Sequence, residues 1–299
     1  MRNPLSDRYD GDETDKRLVR AALDGRQDSL EDLIRRHQAW IYNLVLRMVW
    51  DPWNAEDATQ EILIRIVTNL SSFRGESAFR TWAYRVAVNH ALNWRRSRAE
   101  QDVKSFDCYG KALDATPDLD FPDETRASPE TVALVEEAKV GCMMGMLLCL
   151  DREQRIVFVL GEIFEVTDAT GSEILGLSRD AFRQKLSRAR RDLNAFMSEK
   201  CGLVNPANPC RCARKTQGFI RAGIVEPDRL RFVRPHVASL EQVVEARSRR
   251  FQKMADAVQG GLFRNQPFYD PPDCIAGLRA VVNSTGFRSL LRLDNEGRA

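Results

Sequence analysis

Hydrophobic positions recur along most of this chain at intervals of three and four, the spacing that lines one face of a helix. Leu30, Leu33, Ile34, Ile41, Leu44, Val45 and Met48 form one such stripe, with Asp28 and Glu31 at capping-box spacing at its start. A short apolar helix over 18–23 precedes it. Asp51-Pro52 ends the stripe and opens an amphipathic helix over 55–70, because proline suits a first helical turn. After a loop at 71–75, a long helix is predicted over 78–98.

Residues 101–130 lose the period. They hold eight acids against three bases, with Pro117, Pro122 and Pro129, and read as a flexible linker. Ser128-Pro129 restarts a helix that runs to Leu150, and Asp151 with Gln154 opens another to about Phe164. A short helix over 168–175, a turn at Gly176-Leu177-Ser178 and a basic helix to about Lys200 follow. Gly202, Pro206 and Pro209 mark a loop, and helical spacing returns over 240–258 and 272–282. Nowhere does an apolar/polar alternation support a strand, so the expected fold class is all-α.

Composition narrows this only a little. The chain has 299 residues, 43% hydrophobic and 29% charged, with a net charge of +2, enough for two or three domains without disulfide support. The polar residues 1–15 hold no apolar core of a secretory signal. The longest apolar run, 140–150, falls short of the roughly 20 residues a membrane span needs. The expectation is a cytoplasmic protein with no membrane partner.

Charge placement is more informative than net charge. Residues 73–98 hold six arginines against one acid, interleaved with Phe73, Phe79, Trp82, Tyr84 and Trp94. Cationic side chains follow a phosphate backbone, and aromatic faces stack unpaired bases at roughly 1–3 kcal/mol each. Arg74, Arg80, Trp82, Tyr84, Arg85, Asn89, His90, Arg95 and Arg96 are the candidate contacts to melted DNA. The competing reading is an amphipathic helix with aromatic core residues and a solvated arginine face.

The turn at 176–178 joins two helices as in a helix-turn-helix. Ser178, Arg179, Arg183, Gln184, Lys185, Arg188 and Arg190 are its candidate duplex contacts, while Phe182, Leu186, Ala189 and Leu193 form the buried stripe. The alternative is a basic helical hairpin that binds no DNA. Glu56, Asp57, Gln60 and Glu61 share one polar edge of their helix. Acid there would repel phosphate, so that edge points to a protein partner.

Taken in order, Asp57-Ala-Thr-Gln-Glu61, Phe73-Arg-Gly75, Trp82-Ala-Tyr-Arg-Val-Ala-Val-Asn89, Glu173-Ile-Leu-Gly-Leu-Ser178 and Leu186-Ser-Arg-Ala-Arg190 resemble the extracytoplasmic-function (ECF) sigma factors of bacterial RNA polymerase. The resemblance implies a non-enzymatic subunit that lends promoter specificity to the core polymerase. It implies that 27–100 is sigma region 2, which binds the −10 element and the β′ clamp, and that 139–200 is region 4, which binds the −35 element. Residues 1–26 form an N-terminal segment, 101–138 the linker and 201–299 a mostly helical extension. Glu56, Asp57, Gln60 and Glu61 fall where the family docks on the clamp, and Asn89 where it reads a flipped-out base. Core polymerase with its β′ and β subunits, promoter DNA and an anti-sigma protein are the expected partners. Asp168-Ala-Thr-Gly-Ser-Glu173 departs from the family's Glu-Ile-Ala pattern, and Gly171 weakens an isolated helix by about 1 kcal/mol.

The extension opens with Cys201, Cys210 and Cys212 in a proline-rich loop. Three thiols there suggest zinc, with His236 or Cys274 as a fourth ligand. Arg211, Arg214 and Lys215 nearby suggest instead an activated redox thiol, and a plain structural loop is the third reading. No other cofactor is expected. A helix-turn-helix regulator with a C-terminal sensor domain is the alternative to the sigma factor, but it leaves 73–98 unexplained. An enzyme acting on nucleic acid is disfavoured: there is no glycine-rich phosphate loop, and His37, His90 and His236 sit in no catalytic motif.

Overall fold

The computed structural model describes residues 3–103, 105–119, 128–233, 238–239 and 261–282. Helices α1 (Asp12–Leu23), α2 (Gln27–Val49), α3 (Pro52–Thr68) and α4 (Phe79–Asn93) form the first bundle. Helix α2 is its axis: Ala39 to Val49 is buried throughout, with Trp40, Tyr42 and Val45 inaccessible to solvent. Asp51 caps α3 through the Asn54 amide, with Pro52 in the first turn as its sequence requires. The capping box expected at Asp28 does not form. Helix α2 begins one residue earlier, and Glu31 turns outward to Arg279. Helix α4 stops at Asn93, five residues short of the expected end, because the chain turns extended at Trp94.

The N-terminal segment belongs to this bundle. Leu5 is fully buried, and Asp15 on α1 is a buried acceptor for Arg36 Nε (2.6 Å), His37 Nε2 (3.1 Å) and the Tyr9 hydroxyl (2.9 Å). Burial pushes the Asp15 carboxyl up, but the His37, Arg36 and Tyr9 contacts outweigh it and hold it below its usual range.

The stretch read as a flexible linker contains two helices, α5 (Arg98–Asp102) and α6 (Phe106–Ala115), each capped by a serine. The apolar residues inside an acidic, proline-containing stretch explain the difference: Phe106 and Tyr109 pack on Phe196, with ring centroids 5.3 and 5.9 Å away. The second bundle comprises α7 (Pro129–Leu148), α8 (Arg152–Phe158), α9 (Asp168–Leu175) and α10 (Arg179–Lys200), with a wider π turn, Val159–Ile163, continuing α8. Ser128, Asp151, Thr167 and Ser178 supply the N-caps. Gly176 ends α9 at φ +65°, the left-handed geometry a glycine adopts without strain. Gly171 also has a positive reason: a Cβ there would lie 2.5 Å from the Phe182 ring, so its absence lets α9 seat against α10.

The two bundles share one hydrophobic core and a buried ionic joint. Arg152 grips Glu100 through both carboxylate oxygens (2.8 and 2.6 Å) and donates to the Leu92 and Trp94 carbonyls at the end of α4. Arg155, 1% exposed, donates to the carbonyls of Met48, Leu147, Leu148 and Leu150 and to Glu100 at 3.1 Å.

The extension wraps back over both bundles. Helix α11 (Cys212–Arg221) lies on α7, and the Glu137 carboxylate of α7 accepts the amides of Arg231, Phe232 and Val233 at 2.7–2.8 Å. Strands β1 (Ala238–Ser239) and β2 (Pro267–Phe268) make a two-residue antiparallel pair, the only sheet among the described residues of an otherwise all-α fold. Phe268 packs on Trp40, while buried Asn43 exchanges hydrogen bonds with the Tyr269 main chain at 2.7 and 3.0 Å. Helix α12 (Cys274–Val282) then crosses α3 and α2. The expected helix over 240–258 lies outside the described residues. No helix among the described residues is long and apolar enough to cross a membrane.

Candidate functional site

Helices α3 and α4 run side by side and enclose an open cleft of about 810 Å³. Asp57, Gln60 and Glu61 line it from α3; Asn89, His90 and Arg95 line it from α4 and beyond its end. The fold therefore brings two sequence motifs, read as separate polymerase and DNA contacts, to one place. Asn89 is exposed on the rim. His90 approaches Glu61 at 3.4 Å without forming a directed hydrogen bond. Burial and the Arg65 charge lower its pKa against the pull of Glu61, so the ring is neutral near pH 7. Arg95 lies over the Trp94 ring and 3.8 Å from Asp57. Arg65, Asn69 and Asn93 also line the cleft. The sequence reading passed over them because none belongs to an aromatic or arginine cluster.

The other candidates between residues 73 and 98 divide sharply. Arg74 and Arg96 are exposed. Trp82 is half-buried in a ring cluster with Phe73 and Phe79, at 5.6 and 5.8 Å. Tyr84 is a correction: it is fully buried against His37 and offers no face for a base to stack on. Arg80 is likewise committed, donating to Asp12 and to the Pro4 and Ser6 carbonyls. Arg85 donates to the Glu173 carbonyl of α9 at 2.9 Å, holding the second bundle against α4.

On α10, Ser178 is spent on the cap, where its hydroxyl accepts the Ala181 amide at 3.1 Å. Arg179, Arg183, Gln184 and Arg188 are exposed on the outward face, and Phe182, Leu186, Ala189 and Leu193 face inward as the spacing required. Arg183 pairs with Asp168 and Asp180, Lys185 with Glu153 at 2.6 Å, and Arg190 with Glu162 at 2.6 Å. The last two are anchored to the bundle and less free to reach a phosphate. The arrangement matches a recognition helix presented by a capped turn.

The family model for sigma-70 region 2 matches residues 33–101. RNA polymerase sigma factor YlaC of Bacillus subtilis is 30% identical over 173 residues, covering 58% of this chain and 94% of that protein. This chain belongs to the ECF-type sigma factors of RNA polymerase. The ECF RNA polymerase sigma-E factor of Escherichia coli is 29% identical over 59% of this chain and 91% of its own length. A solved structure of CnrH in complex with the cytosolic domain of CnrY aligns with 62% of the chain and 97% of its own at 22% identity, TM-score 0.44. This sigma factor accordingly directs transcription initiation by RNA polymerase.

The sigma factor's cysteine cluster stands at the start of the extension. A main-chain bridge between Cys201 and Cys210 closes the neck of the loop, and Cys212 opens α11 against α7. Among the described residues no group of three or more His, Cys, Asp or Glu side chains is arranged to hold a metal ion. Cys274 has gone to α12, and His236 lies outside the described residues. Burial pushes the Cys212 thiol up to about 12 and raises Cys210, with Cys201 adding to both, whereas an activated thiol is one whose pKa is lowered.

Proposed function

We propose that residues 27–100 act as sigma region 2 and 139–200 as region 4, joined through 101–138, with 201–299 as a regulatory extension and 1–26 packed into the first bundle. The protein works in the cytoplasm and catalyses no reaction of its own. The α3 edge of Glu56, Asp57, Gln60 and Glu61 takes the β′ clamp of the core enzyme. Asn89, with Arg74, Arg95, Arg96 and the Trp82 cluster around it, takes the melted −10 strand. Arg179, Arg183, Gln184 and Arg188 read the −35 duplex in the major groove. The observation that carries this is the α3–α4 cleft, where an exposed Asn89 stands opposite an acidic edge unsuited to phosphate.

In vitro transcription with core polymerase and a promoter library tests it. Promoter-specific initiation is expected from the full chain. Asn89→Ala is expected to relax or abolish −10 selection while core binding persists. Equal loss of core binding would remove the role assigned to Asn89, and no initiation from any template would remove the whole reading.

A further inference from the structure

The extension rests on the same side of α3 that the preceding reading gives to the polymerase. Trp53, Glu56 and Gln60 lie at i, i+3 and i+7, one face of that helix. Trp53 and Gln60 touch the extension, and Glu56 acts on it through its charge. The Arg229 guanidinium stacks over the Trp53 ring, 4.0 Å from its centroid. Cys274 of α12 is buried within the field of Glu56, and burial raises its thiol to about 11. A Cβ on Gly277 would lie 2.6 Å from Gln60 Nε2, so the α12 backbone comes close to the end of that side chain. Arg279 then closes the contact with a two-pronged pair to Glu31 of α2, at 2.6 and 2.8 Å. Asp57 and Glu61, one step around the helix, stay exposed on the cleft side.

We propose that the extension, through Arg229 and α12, competes with the docking element of core polymerase for the Trp53–Glu56–Gln60 face of α3, so that the extension holds the sigma factor in a core-refractory state until it is displaced. This rests on the assignment of the α3 edge to core binding. The occupant is this chain's own segment, and its chemistry suits the site. A glycine permits the close backbone approach at Gln60, buried Cys274, Ile275 and Leu278 face the bundle, and an arginine meets an acidic residue.

The test titrates core polymerase against the full-length protein and its variants, reading Kd by fluorescence anisotropy. Arg279→Glu is expected to tighten core binding about two- to five-fold, the range for a half-exposed ion pair. Gly277→Phe is expected to tighten it about two-fold or more, because the added ring must push the Gln60 side chain or α12 itself aside. In the unsubstituted chain, N-ethylmaleimide labelling of Cys274, read by peptide mass, is expected to accelerate when core polymerase saturates the protein. Unchanged Kd in both variants, or Cys274 as protected in the core complex as in the free chain, overturns the competition. Asp57→Lys with Glu61→Lys separates the two readings. If that pair weakens core binding while the α12 variants do nothing, only the competition fails. If it leaves core binding unchanged, the docking assignment falls and the competition with it.

Discussion

Replacing Glu100 with alanine should cost this protein about 3 kcal/mol, near the lower end for removing one member of a buried ion pair. Glu100 is 8% exposed and is the only carboxylate that the described contacts give to both Arg152 and Arg155. Its loss leaves the Arg155 charge buried with only carbonyl partners. Four such carbonyls remain, which keeps the cost from the top of the range. With a urea dependence of about 3 kcal/mol per molar, the unfolding midpoint followed by circular dichroism should fall by about 1 M. Acid provides an independent check. Burial pushes the Glu100 carboxyl up, but the Arg152 hydrogen bonds and the two arginine charges outweigh it and hold it below its usual range. A depressed carboxylate stabilises the fold above its unfolded pKa of about 4.3, and that contribution is lost as pH falls through the folded value. The gap between parent and variant should therefore be full at pH 7 and narrow below about pH 4. Adding Arg155→Met should recover much of the loss, since no bare charge then remains inside. A cost under about 0.5 kcal/mol at pH 7, or a gap indifferent to acid, would refute the reasoning.

Three further outcomes follow from other buried groups. Asp15→Asn should destabilise the first bundle by about 3 kcal/mol, because Arg36 and His37 lose the buried carboxylate charge and one of its two acceptor oxygens becomes a donor; thermal unfolding reads it, and the effect should fade in acid as the lowered Asp15 pKa is crossed. Glu137→Ala should strip the acceptor from three amides and speed hydrogen exchange at 231–233 by about ten-fold or more, with Glu137→Gln less severe because one oxygen remains. Iodoacetamide at pH 8 should label exposed Cys108 well before Cys149 or Cys212, whose thiols burial pushes up to about 12 and leaves about one part in ten thousand ionised.

What could be read from the sequence was local. Asp51, Ser128, Asp151 and Ser178 cap their helices where the cap rules place them, because a cap needs only a side chain and an amide three residues on. The inward stripe of α10 was equally legible. Asp28 failed as a cap because Glu31 had a better partner 248 residues away in Arg279. Gly171 looked like a weakness since helix propensity ignores the ring of Phe182. Tyr84, Arg80 and Arg85 looked like DNA contacts because an aromatic- and arginine-rich helix shows its composition but not which neighbour claims each side chain. Likewise the cysteine spacing could not reveal that α12 would carry Cys274 to α3.

The hydrogen bonds between Asn43 and Tyr269 link residues 226 positions apart. At ribosomal speeds of about 5–20 residues per second, that gap takes about 10–45 s to synthesise. From the completion of α4 at Asn93 until that point, the nascent first bundle lacks Phe268 over Trp40 and any helix across α3. The face that the finished chain covers is thus open on the ribosome, and each newly made molecule has one early opportunity to meet polymerase before its own C-terminus arrives.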